Sequence, residues 1–340
     1  MGIMKFLVWG AGAIGGTVGA YLARAGHDIT FVDRAADHVE AINQTGLQIT
    51  GPVDEFTVQA RAFTPEAVEG VYDHILLCVK AQDTESAAHA LKPHLAPDGY
   101  VVSLQNGMNE LIIGEVVGKE RVIGAFINFG ADYLSPGVIH RGNRAAVVLG
   151  ELDGQITPRL ENLHQVMLDF DDRAIVTTNI WGYLWGKMAY GVMLFATAVT
   201  NDSIADALAN PKYRPVYMAL AREMLAAASA RGVTPEGFNG FNPLAFMPGA
   251  SDAAAEESLD QLVTFNRGSA KSHSGIWRDL AVRKRRTEVD AQLGTTVRLG
   301  AEVGVAMPLT TRLIDIIHDL ENNTRSHSNE NLDILKAELA

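Results

Sequence analysis

Apolar residues form short unbroken runs along the first half of the chain and long, helix-spaced stretches along the second. KFLVWG, DITFVD, HILLCVK, YVVSLQN and RVIGAFI lack polar alternation, as strands buried on both faces of a parallel sheet do. Residues 14–25 and 35–45 carry helical spacing between such runs, so strand, helix and strand alternate as in βαβ units. GVIHRG and AAVVLGE are close enough in sequence to predict a hairpin at the sheet edge, and 155–169 reads as a helix. After Thr178 strand signals fade, and helical patterns cover 179–200, 211–231, 255–270 and 284–305. The expected fold class is α/β: an N-terminal parallel-sheet domain over residues 1–177 followed by an all-helical domain over 178–330. Residues 331–340 are expected to form a C-terminal tail, and ENNTRSHSNEN before it to fray.

Two stretches stand out. In GFNGFNPLAFMPG (237–249) glycine, proline and asparagine exclude a long helix while three phenylalanines remain, which fits an interhelix loop or a lid over a site. IWGYLWGKMAYGVMLFATAV (180–199) holds a single charge, Lys187. A central lysine, three glycines and the lack of a second such run argue against a membrane span. Two readings remain: a stem lying along apolar surface with its ammonium in water, or a lysine facing a cleft.

A chain of 340 residues, 47% hydrophobic and 20% charged, can bury a large core. Its net charge of −12 disfavours nucleic acid or an anionic membrane as partner and favours a small molecule. One cysteine, Cys78, excludes a disulfide framework, suits a cytoplasmic location, and reads as a buried strand residue. No leader is apparent before MKFLVWG. The histidines show no metal-ligand spacing such as H-E-x-x-H. The apolar helices of the second half would permit a homodimer.

WGAGAIGG places Gly10, Gly12 and Gly15 in the G-x-G-x-x-G pattern between a strand and a helix that opens at Ala13 and Ile14. The absent side chains allow a tight turn and close approach of a pyrophosphate, the mark of a Rossmann-type dinucleotide site. A second strand ends at Asp33, whose carboxylate suits the ribose of NAD(H) and would repel the 2′-phosphate of NADP(H). Arg34 beside it argues the other way, so NAD(H) is favoured with NADP(H) as the alternative. Further strand ends carry Lys80 in CVKAQDT, and Gln105, Asn106 and Gly107 in VVSLQNGMNE, where an Asn106 amide is available to nicotinamide or substrate. A solvated lysine and a plain Asn-Gly turn are the alternatives at these two places.

Taken in order, GAGAIG, VKAQDT, QNGMNE, WGKM and RRTEVD resemble the ketopantoate reductase (2-dehydropantoate 2-reductase) family over nearly the whole chain. The resemblance implies a cleft in which a nicotinamide coenzyme reduces a 2-keto acid, with Lys187 as catalytic lysine and Glu288 as its partner acid. It also implies that Lys80 and Asn106 line the coenzyme side. The chemistry is consistent: an ammonium can stabilise and protonate the oxygen on which charge develops, and a carboxylate can keep a buried ammonium charged and aimed.

Departures from the family pattern concern the substrate. Asparagines expected one and two turns after the lysine are replaced by Gly191 and Phe195, and the serine expected four residues before Asp279 is Gly275. Ser274 is adjacent, His273 is new to the neighbourhood, Arg278 beside Trp277 is a candidate carboxylate anchor, and one extra residue separates Asp279 from Glu288. The basic run Arg283, Lys284, Arg285 and Arg286 could anchor a carboxylate or form a solvated helix face. The expected activity is hydride transfer between NAD(P) and a small 2-keto or hydroxy acid other than ketopantoate. An oxidative dehydrogenase of a sugar-acid-like compound and a non-catalytic NAD(P)-binding regulator are the alternatives.

Overall fold

The structure, a computed structural model, describes residues 2–268 and 272–339, and the chain divides into two compact units between Ile180 and Trp181. In the first unit β1 (Lys5–Trp9), β2 (Asp28–Val32), β3 (Leu47–Thr50), β4 (Phe56–Val58), β5 (Arg61–Phe63) and β6 (Tyr72–Leu77) come first in the chain. They are followed by β7 (Leu95–Ser103), β8 (Val122–Ile127), β9 (Ala131–Ser135), β10 (Val138–Arg141), β11 (Val147–Glu151) and β12 (Ile175–Val176). The main sheet runs β12-β11-β8-β7-β6-β1-β2-β5. Along β1, Phe6 and Val8 enter one apolar cluster while Leu7 and Trp9 enter the other, which is why the strand needs apolar residues at every position. Helices α1 (Ala13–Arg24), α2 (Ala36–Thr45), α3 (Thr84–Leu91), α4 (Asn109–Val117) and α5 (Pro158–Met167) complete the unit.

The hairpin expected of GVIHRG and AAVVLGE does not form. β11 pairs antiparallel with β8 in the main sheet, whereas β10 belongs to a second sheet, β4-β3-β10-β9. There β10 makes its hairpin with β9 and lies parallel to β3. Ile139 of β10, fully buried, joins the cluster that contains Ile49 and Val18, and this tertiary burial outweighs the short sequence distance to β11.

The second unit carries α6 (Ile180–Thr197, whose first residue closes the first unit), α7 (Ile204–Ala209), α8 (Arg214–Ala230), α9 (Asp252–Arg267) and the single turn α10 (Gly275–Trp277). Next come α11 (Thr295–Glu302), α12 (Pro308–Glu321) and α13 (Glu330–Ala337). No helix among the described residues is long and apolar enough to cross a membrane. Residues 331–339 are not a loose tail, residue 340 lying outside the described residues: Leu332 and Leu335 are fully buried, and Asn331 donates to the carbonyl oxygens of Val199 (2.8 Å) and Ser326 (3.0 Å). Nor is 284–305 one helix. Arg278–Val282 and Asp290–Gly294 wind as π-helix, and between them the Asp279 carboxylate accepts from Arg283 and Arg285 while Lys284 turns left-handed (φ 51°).

One ionic cluster is enclosed in the first unit. Arg141, 1% exposed, packs between the rings of Tyr21 and Phe170 and pairs with Asp171, which also binds Arg144 and Arg173. Burial pushes the Asp171 carboxyl up, but hydrogen bonds from Arg144 and Arg173 prevail and hold it at about 2. A carboxyl lowered by folding contributes its stability above the ordinary value of 3.8 and loses it as pH falls towards about 2. Asp171→Asn should therefore lower stability in urea by about 3 kcal/mol at neutral pH. The loss of stability between those two pH values should be correspondingly flatter in the variant than in the wild type.

Candidate functional site

Strand register brings the chemistry-bearing loops of the first unit to one level. Trp9 is paired with both Val32 and Leu77, and Leu77 with Ser103, so β1, β2, β6 and β7 end in a single row. Residues 10–15, 33–34, 78–83 and 104–108 all leave the sheet from that row, the carboxyl edge at which parallel sheets bind ligands.

The three glycines have three different reasons. Gly10 takes φ 99°, and a Cβ on it would lie 2.8 Å from Val79 N. A Cβ on Gly15 would lie 2.1 Å from the Gly10 carbonyl oxygen and 2.8 Å from Cys78 Cβ, so only glycine lets α1 start this close to the strands. A Cβ on Gly12 would meet no protein atom within 4 Å. Gly12 caps α1 without a side chain, the first turn carries no acid, and Ala13, Ile14 and Gly15 have no carbonyl one turn back to receive their N–H groups. The space beside Gly12 and the electropositive helix end suit an anionic pyrophosphate. Cys78 stands just past the end of β6, half-buried against this turn, and not within the strand itself.

Asp33 is half-buried and its Oδ1 accepts from Ala35 N at 3.0 Å, which fixes the carboxylate at the end of β2. Arg34 is exposed and its guanidinium reaches Asp83 at 3.4 Å, in the loop that begins at Lys80. Lys80 is half-buried and caps the 3₁₀ turn Ala81–Asp83. Asn106 is exposed, beside Gly107 at φ 109°, so the Asn-Gly pair does form a tight turn.

A buried relay that the sequence motifs do not reveal joins these last two loops. Gln105 Nε2 donates to Val79 O (2.9 Å) and to Thr84 Oγ1 (2.8 Å); Thr84 Oγ1 donates to Asn109 Oδ1 (2.9 Å); Asn109 Nδ2 donates to Asn106 O (2.7 Å). Gln105, Thr84 and Asn109 are each at most 5% exposed, so the backbones beside Lys80 and Asn106 are held by one buried network. Its members lie at the T of VKAQDT, the Q of QNG and the N one turn later, a spacing with no recognisable signature.

In the second unit Lys187 is half-buried on α6. A Cβ on the preceding Gly186 would lie 2.4 Å from the carbonyl oxygen of Glu236, and Glu236 N donates to Gly182 O at 2.9 Å. This close approach, unnoticed in the sequence, fixes the rotation of α6 about its axis. Tyr190 bonds Asn266 and packs against the rings of Phe238 and Phe241; Phe241 and Phe246 are buried. The 237–249 segment is therefore an interhelix loop whose three phenylalanine rings are buried while Leu244 is exposed. Beyond Lys187, a Cβ on Gly191 would meet nothing within 4 Å, whereas Phe195 is 1% exposed.

Glu288 is half-buried, and its carbonyl receives the helical bond from Gln292 N, which places its carboxylate at the positive end of the helix that becomes α11. Thr287, next to it, donates both its N–H and its hydroxyl to Glu321 Oε1 at 2.7 Å. Glu321, on α12, thus anchors the residue beside Glu288, another contact without a sequence signature. Ser274 is buried, its Oγ accepting from Trp277 N at 3.1 Å as a helix cap. His273 lies between Ser272 Oγ and Asn201 O and stacks on Trp277; Gly275 starts α10 and half-buried Arg278 follows it. Among the described residues no group of three or more His, Cys, Asp or Glu is placed to hold a metal.

Comparison with known proteins matches residues 6–154 to the model "Ketopantoate reductase PanE/ApbA" and residues 179–321 to its C-terminal counterpart. A 2-dehydropantoate 2-reductase of Pyrococcus horikoshii is 35% identical over 326 residues, covering 94% of this chain and 98% of that one. The crystal structure of a PanE/ApbA family ketopantoate reductase from Ralstonia eutropha superposes with a TM-score of 0.78 at 28% identity, covering 94% and 99% of the two chains. A ternary structure of D-mandelate dehydrogenase with NADH and anilino(oxo)acetate shares the fold, with a TM-score of 0.81 at 22% identity over 94% and 99%.

The different surroundings of Gly12 and Gly15 separate binding from folding. Gly12→Ala should leave the melting temperature within about 2 °C, a surface-sized effect, yet abolish measurable NADH binding by fluorescence titration. Gly15→Ala should destabilise by about 2 kcal/mol or more, the usual consequence of overpacking.

Proposed function

The chain belongs to the ketopantoate reductase family, and we propose that it is a nicotinamide-dependent oxidoreductase that reduces a small 2-keto acid other than ketopantoate. The observation that supports the coenzyme most directly is the open space at Gly12, flanked by glycines that have no room for a side chain. The backbone N–H groups of Ala13, Ile14 and Gly15 would hold the pyrophosphate, with Asp33 at the adenosine ribose and Lys80 and Asn106 towards the nicotinamide. Asp33, pinned at the strand end, favours NAD(H); Arg34, drawn towards Asp83, is less available to a 2′-phosphate.

When bound, the coenzyme supplies a hydride for the carbonyl carbon of the substrate. The protein must then supply a proton and stabilise charge on the carbonyl oxygen. Lys187 is assigned both tasks, as an ammonium held half-buried by a helix whose other residues are uncharged. Glu288, a carboxylate at a helix N-terminus, is assigned the role of keeping that ammonium charged and oriented. Arg278, His273 and Ser274 are the candidates for the substrate carboxylate, although Ser274 Oγ already serves as a cap.

The substrate assignment follows from what is missing. Where the family pattern places two asparagines after the lysine, this chain offers open space at Gly191 and a buried ring at Phe195, and Gly275 supplies no hydroxyl. A polar substrate would leave its hydroxyl unpaired there, at a penalty of roughly 1–3 kcal/mol. The open space accepts a bulkier, less polar substituent at the same point.

NADH and NADPH oxidation should be assayed against a panel of 2-keto acids that includes ketopantoate, with the reverse reaction on the matching hydroxy acids. Turnover of bulkier keto acids in preference to ketopantoate is expected; efficient ketopantoate reduction would overturn the substrate assignment, and turnover only in the oxidative direction would favour the dehydrogenase reading. Lys187→Ala should lower kcat by about 10²- to 10⁴-fold with coenzyme affinity nearly unchanged. Activity within threefold of wild type would remove Lys187 from the mechanism. Asp33→Ala should weaken NADH binding more than NADPH binding, and equal losses would show that the carboxylate does not read the ribose.

A further inference from the structure

His38 lies on α2, outside every motif described above, and is 0% exposed. Its ring is held at both nitrogens: Gly137 N donates to Nδ1 at 2.9 Å, and Nε2 lies 2.8 Å from the carbonyl oxygen of Ala11. A backbone N–H can only donate, so Nδ1 is the acceptor; the ring hydrogen sits on Nε2 and is donated to Ala11. Gly137 is the turn between β9 and β10, at φ 74°, with its carbonyl taken by Gln48 N at 2.8 Å. The second sheet thus fixes one side of the imidazole, and the imidazole fixes the glycine turn.

The consequence follows from peptide geometry. The Ala11 carbonyl and the Gly12 N–H belong to one planar trans peptide and point in opposite directions. Capturing the carbonyl turns the N–H to the side away from His38 and keeps a carbonyl dipole from facing an anion at this turn. Ala11 N, with Gly10 N, is already committed to Val32 O (3.2 and 2.8 Å), so the rotation of the Ala11–Gly12 peptide is the remaining freedom that His38 removes.

We propose that His38 is a positioning residue for the coenzyme pyrophosphate, acting by locking the Ala11–Gly12 peptide with its N–H presented at the mouth of the glycine turn. The inference rests on the coenzyme reading above and deepens it. It assigns to the second sheet, otherwise remote from the chemistry, the task of holding that lock through Gly137.

Two variants separate the two ring nitrogens. His38→Gln places an amide N–H near Nε2 and retains the bond to Ala11; His38→Asn places an amide oxygen near Nδ1 and retains only the bond from Gly137. Dissociation constants should be measured by titration calorimetry for NADH, for ADP, which carries a diphosphate, and for adenosine, which carries none, with melting temperatures recorded alongside. The expected result is that His38→Asn weakens NADH and ADP by about tenfold, in line with one lost hydrogen bond, and adenosine by less than twofold. His38→Gln should stay within about threefold of wild type for all three ligands. Equal weakening in both variants, or loss of adenosine in parallel with ADP, would overturn the positioning role and leave His38 a packing residue. A wild-type protein that binds neither NADH nor ADP would overturn the coenzyme reading itself, and this inference with it.

Discussion

The distance between the first turn of α1 and the strands beside it is the constraint from which the first unit follows. With 2.1 Å between a hypothetical Gly15 Cβ and the Gly10 carbonyl, nothing larger than hydrogen fits. The helix therefore begins directly at the carboxyl edge of β1, where the ends of β2, β6 and β7 are level with it. The loops bearing Asp33, Lys80 and Asn106 reach one place because the sheet register delivers them there. Neighbouring side chains then restrict each loop: Ala35 N on Asp33, and the Gln105, Thr84 and Asn109 relay between the other two.

The second unit uses the same device on a helix. Gly186 lets the backbone at Glu236 approach α6, and this contact sets which way the half-buried Lys187 faces. Glu288 is set from its own side by Thr287 and Glu321. Lys187 and Glu288, the candidate residues of this unit, are each flanked by a residue that permits or makes a close contact, Gly186 and Thr287. Gly186 beside Lys187 and Gly107 beside Asn106 therefore matter to the candidate site as much as the side chains they flank.

Much of this was legible in the chain. Gly10, Gly12 and Gly15 announce their turn because the spacing is dictated by backbone geometry, and Lys187 announces itself by being charged in an apolar run. Contacts between residues far apart in sequence were not legible. His38, Thr84 and Glu321 look like ordinary helix residues, and their roles appear only when a partner 25 to 99 positions away arrives. The misplaced hairpin has the same origin: β10 and β11 are neighbours in sequence, yet β10 buries Ile139 beside β3. Side-chain capture by Asp279 and Glu321 likewise broke the helix expected over 284–305. The tail was misread because the polar stretch ENNTRSHSNEN leads into it, whereas Leu332 and Leu335 sit one turn apart and are buried.

The lock on the glycine turn spans 99 positions, from His38 to Gly137. The turn leaves the ribosome before the strands that steady its anchor, β9 and β10, which are made only after most of the main sheet. At about 5–20 residues per second, synthesis leaves the nascent Ala11–Gly12 peptide free to rotate for several seconds. The glycine turn is therefore finished only once β9 and β10 have been made, long after its own sequence motif.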